Sequence, residues 1–177
     1  TSLAIVKEKE IGTMEQLIVT PIKPHQLIIG KLIPFTIIGM ISVVVVLTAM
    51  RIIFNIPVRG SILLLFVSSF FYVLSLLGFG LFISTISKTQ QQAMTATFFF
   101  FQPVILLSGF ATPIETMPEV FQYMTYLSPL RYFLIIVRGI FLKGVGVDIL
   151  WPQIVALLVL GTVILAASTL RFKKRLA

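Results

Sequence analysis

Four runs without a charged residue decide what this chain can become: Leu32–Met50, Ser61–Ser87, Ala93–Thr112 and Ile149–Leu170. Each is nineteen residues or longer, and at about 1.5 Å of rise per residue such a run makes a helix as long as a bilayer's hydrocarbon core is thick. One such run could be a buried helix of a large soluble domain. Four of them in 177 residues leave too little polar chain to coat them, so the solvent is the bilayer. Composition points the same way, with 58% hydrophobic and 11% charged residues, against about 25% charged in an ordinary soluble domain.

A formal charge of +8 would suggest nucleic acid as the partner of a soluble chain. Here the distribution of charge describes topology instead. With the N-terminal segment in the cytoplasm and the runs alternating, Lys7, Lys9, Lys23, Lys31, Lys88 and the basic residues of the C-terminal RFKKR fall inside; Arg51, Arg59, Arg131, Arg138 and Lys143 fall outside. That excess on one side follows the positive-inside rule. It predicts a multi-pass membrane protein, its C-terminus cytoplasmic, with lipid and not nucleic acid around it. The chain has no cysteine and one histidine, His25, so neither disulfides nor a histidine-cysteine metal site can form. It opens on Thr1 and a short apolar stub, Ser2–Val6, with no signal-peptide pattern. This predicts a piece of a longer protein with at least one span before it.

Between the stub and the first run lies KEKEIGTMEQLIV, residues 7–19. Ile11, Met14, Leu17 and Ile18 share one helical face; Glu8, Gly12 and Glu15 share another. The spacing predicts an amphipathic helix over 7–20 along the inner interface, stopped by Thr20-Pro21, with Pro24 in the first turn of the next helix. Such a helix can simply seat the chain in headgroups. Its acidic face is a poor match to an anionic leaflet, however, and suits a protein partner. Spans are expected at 32–54, 61–87, 93–112 and 149–170. Small residues fleck the second, and the Gly80–Ser84 spacing lets helix backbones approach closely. Gln102-Pro103 sits in the middle of the third. Proline frees a carbonyl there, and the glutamine can repair it or bond another helix, so the pair reads either as a structural kink or as part of a translocation path.

The stretch from 113 to 142 interrupts the pattern. Pro113, Pro118 and Pro129 cut it into pieces too short to cross. Glu119–Leu127 can form a short amphipathic helix, and LRYFLIIVRGIFLKG after Ser128-Pro129 dips in or lies flat. Arg131 and Arg138 are seven apart on one face. They either snorkel to headgroups or touch substrate or lipid. The fold class that emerges is an all-α membrane protein: four full transmembrane helices, a cytoplasmic amphipathic helix and an outer-face re-entrant helical hairpin.

Several chemistries are excluded. Gly30-Lys31 is followed by Leu32 and lacks the earlier glycine of a phosphate-binding loop, so this chain should not hold ATP in that way. No H-E-x-x-H occurs, and a lone histidine cannot serve a serine triad. No ionisable residue lies centrally in any run, which disfavours ion-coupled carriers. The chain reads as a conduit whose energy source is elsewhere.

Two segments resemble a known family, the type-2 permeases of ATP-binding-cassette exporters, and within it the bacterial drug- or lipophile-efflux branch. VKEKEIGTMEQLIVTPIKPHQLIIGKL is similar to its coupling segment, and LSGFATPIETMPEVFQYMTYLSPLRYFLIIVRGIFLKG to its outer signature before the last span. The resemblance implies six spans in the whole protein, with an outer domain between the first two. It also implies a dimer of permease subunits bound to ABC ATPase subunits, which carry the ATP and magnesium. The permease itself is then no enzyme and binds no cofactor. Glu8, Gly12, Thr13, Glu15 and Leu17 fall on the ATPase-coupling helix. Pro113, Glu115, Met117, Pro118, Pro129, Arg131 and Arg138 fall in the re-entrant cap. Two other readings stay open on the residues alone: a membrane scaffold that binds a soluble partner through its acidic helix, and a passive channel.

Overall fold

A computed structural model describes residues 3, 6, 7, 10, 24–55, 59–110 and 113–176, without the side chains of 24, 25, 27 and 172–176. Regular structure among them is helical throughout. Helix α1 runs Pro24–Ile52, α2 runs Ile62–Ile86 and α3 runs Gln90–Leu106. After a 3-10 turn at Ile114–Thr116 come α4, Glu119–Met124, a second 3-10 turn at Thr125–Leu127, and α5, Pro129–Arg138. A π turn at Gly139–Lys143 leads to the last helix, α6, Val147–Leu176. Of these, α1, α2 and α6 are long and apolar enough to cross a bilayer.

Helix ends follow local chemistry. Ser61 precedes the uninterrupted apolar run of α2, and its hydroxyl accepts the Leu64 N–H at 3.3 Å, which satisfies one of the four unpaired donors of the first turn. Thr89 does the same for α3 through the Gln92 N–H at 3.2 Å, while the Gln92 side chain reaches back to the Lys88 N–H at 2.8 Å. Over the expected third span, 93–112, the helix and the charge-free run have different bounds. The helix begins three residues earlier, at Gln90, and ends at Leu106 after 17 residues, about 25 Å at the usual rise. Leu107 caps it, its N–H donating to Pro103 O and Ile105 O, and two residues on Gly109 takes φ +78. The Ser108 hydroxyl meanwhile takes the Ile105 carbonyl at 2.6 Å. The charge-free composition runs on past this cap, but the helix does not.

Helices α2 and α6 form the central seam. Gly161 brings the backbone of α6 onto Ser75, and a β-carbon added there would lie 2.7 Å from the Ser75 Oγ. That hydroxyl donates to Phe71 O at 2.9 Å within its own helix and reaches Leu157 O of α6 at 3.4 Å. Ser168 of α6 donates to Gly78 O of α2 at 3.0 Å. These are the close approaches that small residues permit where lipid offers no hydrophobic drive to pack helices. Gly80 and Ser84, singled out by their spacing, are both buried, and Ser84 accepts the Val6 N–H, while Ser75 and Gly78 take part in hydrogen bonds to α6.

Leu64 and Leu65 of α2, Ile136 of α5, Ile140 and Phe141 of the π turn, and Leu150 and Leu157 of α6 build the buried core, with Leu47 and Met50 of α1 against it. The core thus sits at the end of the bundle where α1 finishes and α2 begins. The opposite end holds Val6, whose N–H is received by the Ser84 hydroxyl at 3.2 Å, and Arg171, which lies 5.7 Å over the Phe82 ring.

Candidate functional site

The segment from 113 to 143 is the candidate site, and its geometry starts with proline carbonyls. Pro113 O accepts the Thr116 N–H at 3.2 Å and its hydroxyl at 2.7 Å, making the first 3-10 turn. Pro118 O accepts the N–H groups of Phe121 and Gln122, and the Gln122 amide donates back to Met117 O at 2.8 Å. Each proline supplies fixed φ and an acceptor without needing a donor of its own. Glu115 is exposed on this turn. Pro129 is buried at the first position of α5, where a missing N–H costs nothing.

Between the stretch ending at Leu127 and the one from Pro129 to Lys143 the axis turns by 85°. Arg131 holds this corner. Its guanidinium donates to the Thr125 hydroxyl and lies 4.0 Å over the Tyr126 ring, while the Tyr132 hydroxyl donates to Tyr126 O at 3.0 Å. Arg138 donates to Gly109 O at 3.1 Å, across 29 residues of sequence. Both arginines therefore have protein partners and shape the turn. The Phe133 ring stacks on Tyr72 of α2, centroids 4.2 Å apart. Gly60 N–H is received by Ile140 O at 3.0 Å, and Gly144, at φ +63, rests against the Arg59 backbone. The segment consequently leaves α3 and rejoins α6 at one end of the bundle. It is a bent helical turn held by backbone bonds, stacking and the buried core.

α3 presents a different surface. Gln91, Thr95, Phe98, Gln102 and Ile105 recur at four- and three-residue steps and are all exposed, which makes one continuous stripe. Phe98 and Phe99 are 64% and 70% exposed, as four successive phenylalanines require. Gln102 has no hydrogen-bond partner among the described residues, so it does not repair the carbonyl that Pro103 frees, nor bond a neighbouring helix of this chain.

Glu8, Gly12, Thr13, Glu15 and Leu17 lie outside the described residues. Glu10 does not, and sequence reasoning passed over it: its carboxylate accepts the Gln90 N–H at 3.1 Å. Its signal was faint, one more acid in KEKE off the face shared by Glu8 and Glu15. The Ser108-Gly109 pair was the signal available for the break, but the sequence reading carried the span past it to 112. Nothing in the pattern marked Thr125 as the partner of Arg131. Among the described residues no group of His, Asp or Glu could hold a metal ion.

Apolar helices long enough to cross, a polar-dotted helix beside them and a sharply bent helical pair at one end define a multi-pass membrane protein. The chain belongs to the ABC-2 type transporter family, whose model matches residues 1–142. It is 39% identical over 99% of its length to Escherichia coli "Probable multidrug ABC transporter permease YbhR", and 38% identical over 99% to "Probable multidrug ABC transporter permease YbhS". The E. coli "Inner membrane transport permease YhhJ" is 29% identical over 98%. The chain spans about half the length of these relatives, 48%, 47% and 47% respectively. No solved structure matches it.

Proposed function

We propose that the chain is the C-terminal part, residues 1–177, of the membrane-spanning subunit of an ATP-driven exporter in the bacterial cytoplasmic membrane. It contributes to the translocation pathway and docks to a separate ABC ATPase subunit, which binds ATP and magnesium. Its cargo is lipophilic or amphipathic, such as drugs. The observation that carries this reading is the family match, which runs through both the acidic segment and the re-entrant turn. The multidrug names of two relatives support the cargo class.

In this reading residues 7–20 form the coupling helix on the cytoplasmic face. Glu8 and Glu15 meet the ATPase, with Gly12, Thr13 and Leu17 shaping the contact. Residues 32–54, 61–87 and 149–170 cross the membrane, and the 93–112 region, with α3 at its heart, crosses beside a second permease subunit. The exposed stripe through Gln91, Thr95 and Gln102 lines the path between the two copies, a placement that gives unpaired amides a wet or partnered surface. The 113–142 hairpin caps the outer end and limits back-flow. ATP-driven closure of the ATPase pair pushes on the coupling helix, and the spans tilt to open outward.

The test is copurification with an ATPase subunit, followed by ATP hydrolysis measured with and without Hoechst 33342 in vesicles. Reversing charge with Glu8→Lys and Glu15→Lys should abolish stimulated hydrolysis and dye export while membrane insertion persists. Export at the unaltered rate in that double variant would remove the docking claim. Stable copurification without any stimulation would favour a scaffold over an exporter.

A further inference from the structure

A cleft of about 290 Å³ opens where α1, α2 and the hairpin meet. Val46 and Met50 of α1, Leu65 and Ser69 of α2, and Phe133 and Phe141 of the hairpin line it, and no charged residue does. Its volume is near the lower end for small-molecule pockets, about 300–1,000 Å³. Leu65 and Phe141 make a buried inner wall, while Val46 on the other flank is 56% exposed, so the cleft opens to the side of the bundle. One polar atom in this wall stands apart. Helical hydroxyls can bond the carbonyl four residues back, as Ser68 does to Leu64 O at 2.8 Å and Ser42, also on the cleft, to Ile38 O at 2.9 Å. Ser69 is 1% exposed, and its Oγ has no hydrogen-bond partner among the described residues. A buried hydroxyl is costly to leave unpaired. Ser69 also lies two turns into α2, about 10 Å from Ile62. Lipid ester carbonyls stay in the interface, and acyl chains at that depth offer no acceptor.

From this arrangement we infer that the cleft binds a small, uncharged, lipophilic molecule that carries one hydrogen-bond acceptor, such as an aromatic ketone. Its apolar body lies between Val46, Met50 and Phe133, and its acceptor takes the Ser69 O–H. A charged group would be stranded in a lining without a counter-charge, and a bare acyl chain would leave Ser69 unpaired. The occupant enters from the bilayer past Val46 and touches α1, α2 and the hairpin at once. No residue of α3 lines the cleft, so it is separate from the exposed stripe on that helix. The site also stands apart from the exporter reading, since binding there needs neither ATP nor transport.

Benzophenone is both such a molecule and a photolabel. The full-length permease in lipid nanodiscs is irradiated with benzophenone in the absence of ATP, and the labelled positions are mapped by mass spectrometry. Label is expected at Met50 and between Phe133 and Phe141. Ser69→Ala should raise the half-saturating benzophenone concentration at Met50 about fivefold, the effect of losing one ordinary hydrogen bond. Diphenylmethane has nearly the same shape but no carbonyl. With benzophenone at trace level, the diphenylmethane concentration that halves labelling should not rise in Ser69→Ala. Val46→Trp, which plugs the mouth, should abolish label in the cleft. Equal benzophenone saturation with and without the Ser69 hydroxyl would overturn the site, as would label that survives Val46→Trp. Absence of label at Met50 and the hairpin would overturn it too, and would show that the rest of the permease covers the cleft. Export and ATP hydrolysis are not read here, so failure of the exporter reading and failure of this site are told apart.

Discussion

The seam between α2 and α6 allows a sharp energetic test at Gly161. An alanine there puts its β-carbon 2.7 Å from Ser75 Oγ, while the next neighbours, Phe71 O and Ser75 Cβ, lie at an ordinary 3.7 Å. The clash is therefore with one hydroxyl. That hydroxyl can escape by rotating, but only by giving up Phe71 O and Leu157 O, and Ser75 is fully buried. Stranding a buried hydroxyl costs about 1–3 kcal/mol, and interhelical bonds in membranes average about 0.6 kcal/mol. Gly161→Ala should thus destabilise by about 1–2 kcal/mol. In a Ser75→Ala background the obstacle is gone, and the same change should be nearly neutral. The coupling between the two substitutions is then about 1–2 kcal/mol, measurable by SDS titration of helicity in mixed micelles across the four-member cycle. Simple additivity would show that the backbones, not the hydroxyl, set the spacing, and would refute the reasoning.

Three further outcomes are expected. Gly109→Ala should cost about 1–2 kcal/mol, since an L-residue resists the left-handed region and its β-carbon would meet Ile114 at 3.0 Å; equal stability in the same titration would contradict this. Arg138→Ala should free the α3–hairpin connection and sharpen the spectrum of a nitroxide at Phe110→Cys, with Arg138→Lys intermediate; identical spectra would show that the bond to Gly109 O restrains nothing. Ser61→Ala should lose about 1 kcal/mol of helix-capping energy and Ser61→Asp should retain it, which thermal melts in detergent would decide.

Hydropathy located α1, α2 and α6 well, because a bilayer punishes charge so heavily that span length is written in composition. It gave α3 a different extent, because composition does not register a helix stop: the run is uncharged as far as Thr112, yet the helix closes at Leu106 and Leu107. The prolines of the hairpin were readable as breaks, since their effect is local. The partners of Arg131 and Arg138 were not, because Thr125 and the Gly109 carbonyl meet them through a three-dimensional turn that no periodicity records. Likewise Gly80–Ser84 was a fair guess at close packing, but which small residues face α6 depends on the rotation of α2, which its nearly uniform apolar surface leaves unmarked.

The hairpin's return to the end it left has a bearing on parity. Two long helices and α3 alternate in direction before it, so the reversal hands α6 back toward the end that holds Val6 and Gln90, and the basic tail lands there too. Were α5 a few apolar residues longer, and straight where Arg131 now bends it, the segment would run the length of the bundle. α6 would then start from the opposite end of the bundle, so the corner at Thr125–Arg131 sets the direction in which the last helix runs.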